Sequence, residues 1–272
     1  MRIRVHYATT YAYRSAARSI LQHLRLTPRS HDGQHVVSWR IDADADVRLR
    51  QGEDAFGNIV HTLSTDRATT AITLTVAGEV RTADTGGMVS RATERLPPGV
   101  FLRETPLTRA DEPLRELAAA VAAEAGGGTL TRMHVLLGRL HQSIAFDPAA
   151  THVAASAAEA YALRRGVCQD LTHIFLSVAR RLGAPARYVS GHLLREDGCV
   201  DQEASHAWAE AFVDGLGWVG FDPVNGVCPA ERHIRVAVGL DYLDAAPVRG
   251  ARHGGGEETM EVRLRVMEAR QQ

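Results

Sequence analysis

The sequence contains no lysine, so all 31 of its basic residues are arginine. Biased codon usage accounts for such an absence, yet it carries a chemical consequence. The chain has no ε-amine to offer, so a reaction that joins proteins through lysine can join this one to itself only at its N-terminal amine. Cysteine is also scarce. Cys168, Cys199 and Cys228 are odd in number and include no CxxC pair, which argues against a disulfide framework and for a reducing compartment. Excess charge of either sign is missing too. A net charge of -1 and a pI near 6.9 give no electrostatic case for nucleic acid or a membrane surface as partner. No stretch approaches the roughly 18 apolar residues that span a bilayer. MRIRVHYATTYAY at the start is charged and aromatic where a secretory signal would be apolar. Cytoplasm is therefore the expected location. Internal repeats and low-complexity segments are lacking as well.

What is present is ordinary globular composition, 45% hydrophobic and 23% charged. Its 272 residues suit two domains of about 100–200 residues each. Residues 1–83 read as strands: Ile3, Val5 and Tyr7 alternate with polar neighbours, as do Ile72, Leu74 and Val76. DAFGN at 54–58 places Gly57-Asn58 between two such runs as a turn. With no titratable cluster, this part is expected to be a β-sandwich without chemistry of its own. Residues 84–106, rich in Gly, Thr, Ser, Arg and Pro, read as a connection, and 107–272 as the chemical domain.

Helices open that second part. Asp111 is placed to cap a segment running to Ala125, with Pro113 in its first turn and three glycines at 126–128 ending it. Thr129 to about Ile144 repeats the pattern, with Leu130, Met133, Leu137 and Leu140 on one stripe. After Gly166, Leu171, Ile174, Phe175, Val178 and Leu182 form one apolar helical face, stopped by Gly183 and Pro185. Cys168 thus falls at a helix N-terminus. Strands are expected at about 186–194 and 205–213, then a turn at Asp214-Gly215-Leu216-Gly217 and a strand over 218–222.

A helix N-terminus concentrates unpaired N–H groups and positive potential, which favours a thiolate and can bind an oxyanion. The bland role for a free cysteine is a small core residue. The surroundings favour chemistry. His206, Trp208, Glu210 and Phe212 share one face of a strand, and the following hairpin brings Asp222 to the end where His206 lies. A three-residue loop at 214–216 would set Trp208 opposite Asp222 and His206 on the diagonal, within side-chain reach.

Three blocks then resemble a family. GVCQDLTHIFLSVARRLGAPARYVSGHL, ASHAWAEAFVDGLGWVGFDPVNG and HIRVAVGLDYLDAAPVRG look like the core of bacterial transglutaminase-like proteins, in the papain-like or transglutaminase-like cysteine protease superfamily. The first domain looks like the N-terminal domain such proteins carry. The resemblance implies an α+β fold: a β-sandwich-like domain, then a papain-like core whose Cys-bearing helix packs on an antiparallel sheet bearing His and Asp. It also implies a triad of Cys168 as nucleophile, His206 as base and Asp222 as orienting acid. The expected function is a thiol-dependent peptidase or amidase acting on a peptide or amide substrate through a thioester. The alternatives are transfer of the acyl group to an amine, and a non-catalytic binding module. No cofactor and no metal is expected. A zinc site from the three cysteines and His206 would lack any paired spacing. The Cys168 N–H is the natural first donor to an oxyanion, with Gln142 a weak candidate for the second. Trp208 and Trp218 are placed to wall the cleft or pack the core, His173 to serve the core, and Cys199 and Cys228 as incidental thiols. Asp241-Tyr242 and Arg249-Gly250 are candidates for the substrate entrance. The sequence leaves the oligomeric state open.

Overall fold

One strand organises the N-terminal half. In the computed structural model, which describes residues 1–269, β1 (Arg2–Thr27) runs for 26 residues. It is followed by β2 (Gln34–Ala43), β3 (Val47–Glu53), β4 (Ile59–Thr65) and β5 (Thr69–Thr82). The first half of β1 pairs with β5, and β5 with β2; its second half pairs with β4, and β4 with β3. Ile3, Val5, Tyr7, Tyr11 and Tyr13 face inward at odd positions, whereas Ile20, Leu24 and Leu26 do so at even ones. The switch coincides with an irregularity between Ala17 and Ser19. One extra residue there rotates the strand so that both halves keep their apolar side on the same interior. A sandwich of two separate sheets was expected; the strands instead form one eight-stranded sheet curled about the shared β1.

The connection at 84–106 is structured. It contributes β6 (Met88–Val89), which joins the second sheet, and a 3-10 turn at Pro98–Leu102. Beyond it lie α1 (Glu112–Ala125), α2 (Thr129–Ser143), β7 (Ala145–Phe146), α3 (Ala157–Leu163), β8 (Arg165–Gly166) and α4 (Cys168–Arg181). Asp111 caps α1 by accepting from Leu114 N at 3.1 Å, as its position before Pro113 predicts. Next come β9 (Ala186–Leu193), β10 (Asp201–Gln202), β11 (His206–Val213), β12 (Gly217–Phe221), β13 (His233–Gly239) and α5 (Tyr242–Ala245). The second sheet has the antiparallel order β13-β9-β11-β12-β6. Helix α4 packs on β9 and β11 and is covered by α1, α2 and α3. Ala207, Ala209 and Ala211 are buried, their small side chains letting a helix approach closely.

The last strands depart from the expected division. β14 (Val248–Gly254) and β15 (Glu258–Glu268) leave the 107–272 unit and pair antiparallel with the second and first halves of β1. The Arg249-Gly250 pair therefore lies on the β1 sheet, where a Cβ at Gly250 would come within 2.2 Å of the Leu21 carbonyl. Two side-chain amides join the halves. Gln34 receives Arg235 N and donates to Arg235 O, both at 2.8 Å. Asn58 does the same for Val238, at 2.8 and 2.7 Å. Each copies the donor–acceptor pair of a neighbouring strand and so satisfies the free edge of β13.

Candidate active site

The β11–β12 hairpin has the register that its loop length predicts. Val213 pairs with Gly217 and Ala209 with Phe221, leaving Asp214, Gly215 and Leu216 as the loop. Continued by one residue, that register sets Trp208 against Asp222 and His206 diagonally across. His206 Nε2 lies 2.6 Å from Asp222 Oδ2. His206 also pairs with Gly191 of β9, and a Cβ at Gly191 would come within 2.6 Å of the Trp208 ring. The bare glycine gives the indole its place beside the imidazole, 6.1 Å between ring centroids.

Cys168 is the first residue of α4, half-buried, its Sγ 3.9 Å from the Ser205 carbonyl oxygen beside His206. With Nε2 of His206 committed to Asp222, Nδ1 is the ring nitrogen left for the sulfur. Asp170 shapes this helix start. Its Oδ2 reaches back to accept Val167 N at 2.8 Å and Thr151 Oγ1 at 2.6 Å. Gly166 makes room, since a Cβ there would stand 2.6 Å from that oxygen. Burial raises the Asp170 carboxyl above its usual range, against the hydrogen bonds that lower it.

Asp222 is fully buried and held on both oxygens. Oδ1 accepts Val224 N at 3.1 Å and Asn225 N at 3.2 Å; Oδ2 accepts Asn225 Nδ2 at 2.7 Å and meets His233 Nε2 at 3.1 Å. Burial alone would push this carboxyl up, but the His206 charge and its hydrogen bond, then His233, hold it well below the usual carboxylate range. The partner responds in the opposite sense. Burial pulls His206 down, and the charge and hydrogen bond of Asp222, with Cys168 beside it, outweigh this and raise it to about 10. Such a group favours a protonated His206 ring beside the Cys168 sulfur. The donor atoms of His206, Asp222 and His233 converge within 4.8 Å. Because Asp222 Oδ2 already serves both rings, we read the set as a hydrogen-bonded chain and not as a metal centre.

Other expected residues fall elsewhere. Gln142 is exposed near the end of α2. His173 is fully buried; it accepts Tyr242 N at 3.1 Å, and burial lowers it to about 3. Asp241 caps α5 through Leu243 N at 2.8 Å. Trp218 is a core residue, edge-on to Phe101 and Phe212. Cys199 is exposed, and Cys228 packs at Gly87. Behind the sheet, Glu210 is fully buried between Arg187 at 2.6 Å and Arg235 at 2.7 Å. Burial pushes Glu210 up, yet the two guanidinium groups hold it down at about 2.

With this geometry in view, the comparisons are specific. Residues 3–81 match the bacterial transglutaminase-like N-terminal region, and residues 115–223 match the transglutaminase-like superfamily. An uncharacterized protein of Mycobacterium leprae is 33% identical over 97% of this chain and 98% of its own length. The chain belongs to the bacterial transglutaminase-like family. An uncharacterized protein of Mycobacterium tuberculosis is 27% identical over 95% of this chain and 90% of its own length. The fold is shared with a Cytophaga hutchinsonii "putative cysteine protease", with a TM-score of 0.75 at 19% identity, covering 100% of this chain and 92% of that one. Among the described residues no helix is long and apolar enough to cross a membrane.

Sequence reasoning missed Asp170, Asn225 and His233. Asp170 had a readable signal, an acid three residues after the N-cap position Val167. His233 opens the third family-like block and had no assigned role there.

Proposed function

We propose that the protein is a thiol-dependent hydrolase of peptide or amide bonds, with Cys168, His206 and Asp222 as its triad. One observation carries this reading: a buried, five-fold hydrogen-bonded carboxylate holds His206 at 2.6 Å beside a cysteine that opens a helix. The Cys168 thiolate attacks the carbonyl carbon, and the carbonyl oxygen takes the negative charge, supported by the N–H groups that open α4. As the C–N bond breaks, the His206 imidazolium gives its proton to the departing amine, leaving a thioester on Cys168. His206, now neutral, takes a proton from water as water attacks the thioester; the acid departs and the thiolate returns. Three free thiols fit a reducing compartment, and we place the enzyme in the cytoplasm on that ground.

The test uses a library of glutamine-containing peptides with a labelled primary amine at millimolar concentration. Hydrolysed product should dominate and vanish in Cys168→Ala. Dominant amine coupling would replace the hydrolase reading by acyl transfer. No covalent adduct at Cys168 with any peptide would leave a binding module. The absence of lysine makes the readout clean, because high-mass products cannot arise from the enzyme's own ε-amines.

A further inference from the structure

We propose that His233 is a positioning residue of this catalytic group, a second imidazole that donates to Asp222 and fixes the carboxylate against His206. The proposal deepens the triad reading and rests on it. His233 opens β13, eleven residues beyond Asp222, and its Nδ1 accepts Ala230 N at 3.3 Å. A backbone N–H can only donate, so Nδ1 carries no proton and the ring's proton sits on Nε2. That is the nitrogen 3.1 Å from Asp222 Oδ2. The tautomer is thereby set by the main chain, and His233 is a donor to the carboxylate.

The ring is itself held in place. It stands edge-on to the buried Trp208, with centroids 5.3 Å apart and planes at 78°. Behind it a cavity is lined by His31, Gln34, Trp208, Glu210 and Arg235. His233 lines the same cavity while bonding Asp222, so it stands between that space and the carboxylate. The titratable and charged groups facing it are Asp222 and His206 on the reaction side, and His31, Glu210 and Arg235 on the cavity side; Glu210 is paired with Arg187 and Arg235. Truncating the ring removes one fixed donor and opens the carboxylate to water from the cavity. Water spreads the charge that a preorganised donor concentrates toward His206. His206 then loses part of its hold on a proton.

The experiment is a pH titration of the histidine ring nitrogens by 15N NMR on the full chain, as wild type, His233→Ala and His233→Gln. Iodoacetamide alkylation of Cys168 is followed in parallel. Wild-type His233 should show the Nε2–H tautomer. In His233→Ala the His206 midpoint should fall by about one pH unit or more. In His233→Gln, which keeps an amide donor for Asp222, most of that fall should be recovered. A merely structural role would lower stability in both variants and leave the midpoint where it was. An Nδ1–H tautomer in the wild type, or an unmoved His206 midpoint in folded His233→Ala, overturns the proposal. The tautomer is read in the wild type, so the proposal can be refuted even where a variant does not fold. If wild-type Cys168 is unreactive and His206 titrates as an ordinary histidine, it is the hydrolase reading that falls, and the two failures are distinct.

Discussion

Replacing Asp222 with asparagine keeps the shape of the side chain and removes its charge. In the native protein burial works against the His206 imidazolium, and the Asp222 carboxylate at 2.6 Å reverses this, holding the ring at about 10. With the charge gone, burial remains, so His206 should titrate at or below its ordinary value of about 6.5. At about pH 7.5 a group with that value is protonated in roughly one molecule in eleven, whereas one near 10 is protonated almost completely. The reactive ion pair therefore loses at least about tenfold in population. An amide can also turn its N–H₂ toward Nε2 and misalign the ring. Together the effects should cut turnover by about 10²–10⁴, the range over which triad acids act. The assay is Cys168 alkylation against pH, read by peptide mass, alongside turnover on a peptide that the library identifies. Wild-type turnover should keep an imidazolium-dependent plateau until the pH nears the His206 value of about 10. Asp222→Asn should lose that plateau on the acid side of neutrality. Superimposable curves would mean that Asp222 does not set the charge on His206, and the reasoning would fail.

Three further outcomes follow from the same contacts. Because folding raises His206, its stabilising contribution is whole below about pH 6.5 and is lost as the pH rises through about 10; thermal melts should show that alkaline decline, and His206→Ala should flatten it. Glu210→Ala strands Arg235 in the interior and leaves Arg187 with Glu94 alone, and should cost about 3–5 kcal/mol in urea unfolding, with a loss under about 1 kcal/mol counting against a buried ion network. A fragment starting at residue 107 lacks β6 and gives β14 and β15 no β1 to pair with; circular dichroism should find it unfolded, and a native-like spectrum with a reactive Cys168 would refute the shared-sheet argument.

The parts of this site that were legible in the sequence are those governed by local rules. Gly183 and Pro185 punctuate α4, and apolar spacing fixes its inner face, so Cys168 could be placed at its start. Loop length fixes hairpin register, so His206 and Asp222 could be brought together. The rest depended on partners that spacing cannot name. Residues 169–180 are buried on every side of α4, because Arg180, on what reads as a polar face, spends its guanidinium on Phe101 O, Ala186 O and Thr108 Oγ1. Asn58 reads as a turn residue, yet its side chain serves Val238, 180 residues on. The alternating run MEVRLRV after about residue 256 reads as one more strand and is silent on its partner. His233 reaches Asp222 across an irregular loop closed by the Asp222–Val227 bridge, where no periodicity applies.

The return of β14 and β15 to β1 also sets an order of events during synthesis. While the ribosome is still making the chain, everything from the Cys168 helix through β13 can be outside it before β1 has met its last two neighbours. Until then β1 offers an unpaired edge along nearly its whole length, the kind of surface that recruits foreign strands. Pairings such as Ile3 with Glu268 lie at the far limit of sequence separation, and closures of that kind are slow. The Cys168 helix and the β9–β11 strands it packs on can thus be complete while the separate β1 sheet is still open, and that interval is when the β1 edge is most exposed to foreign strands.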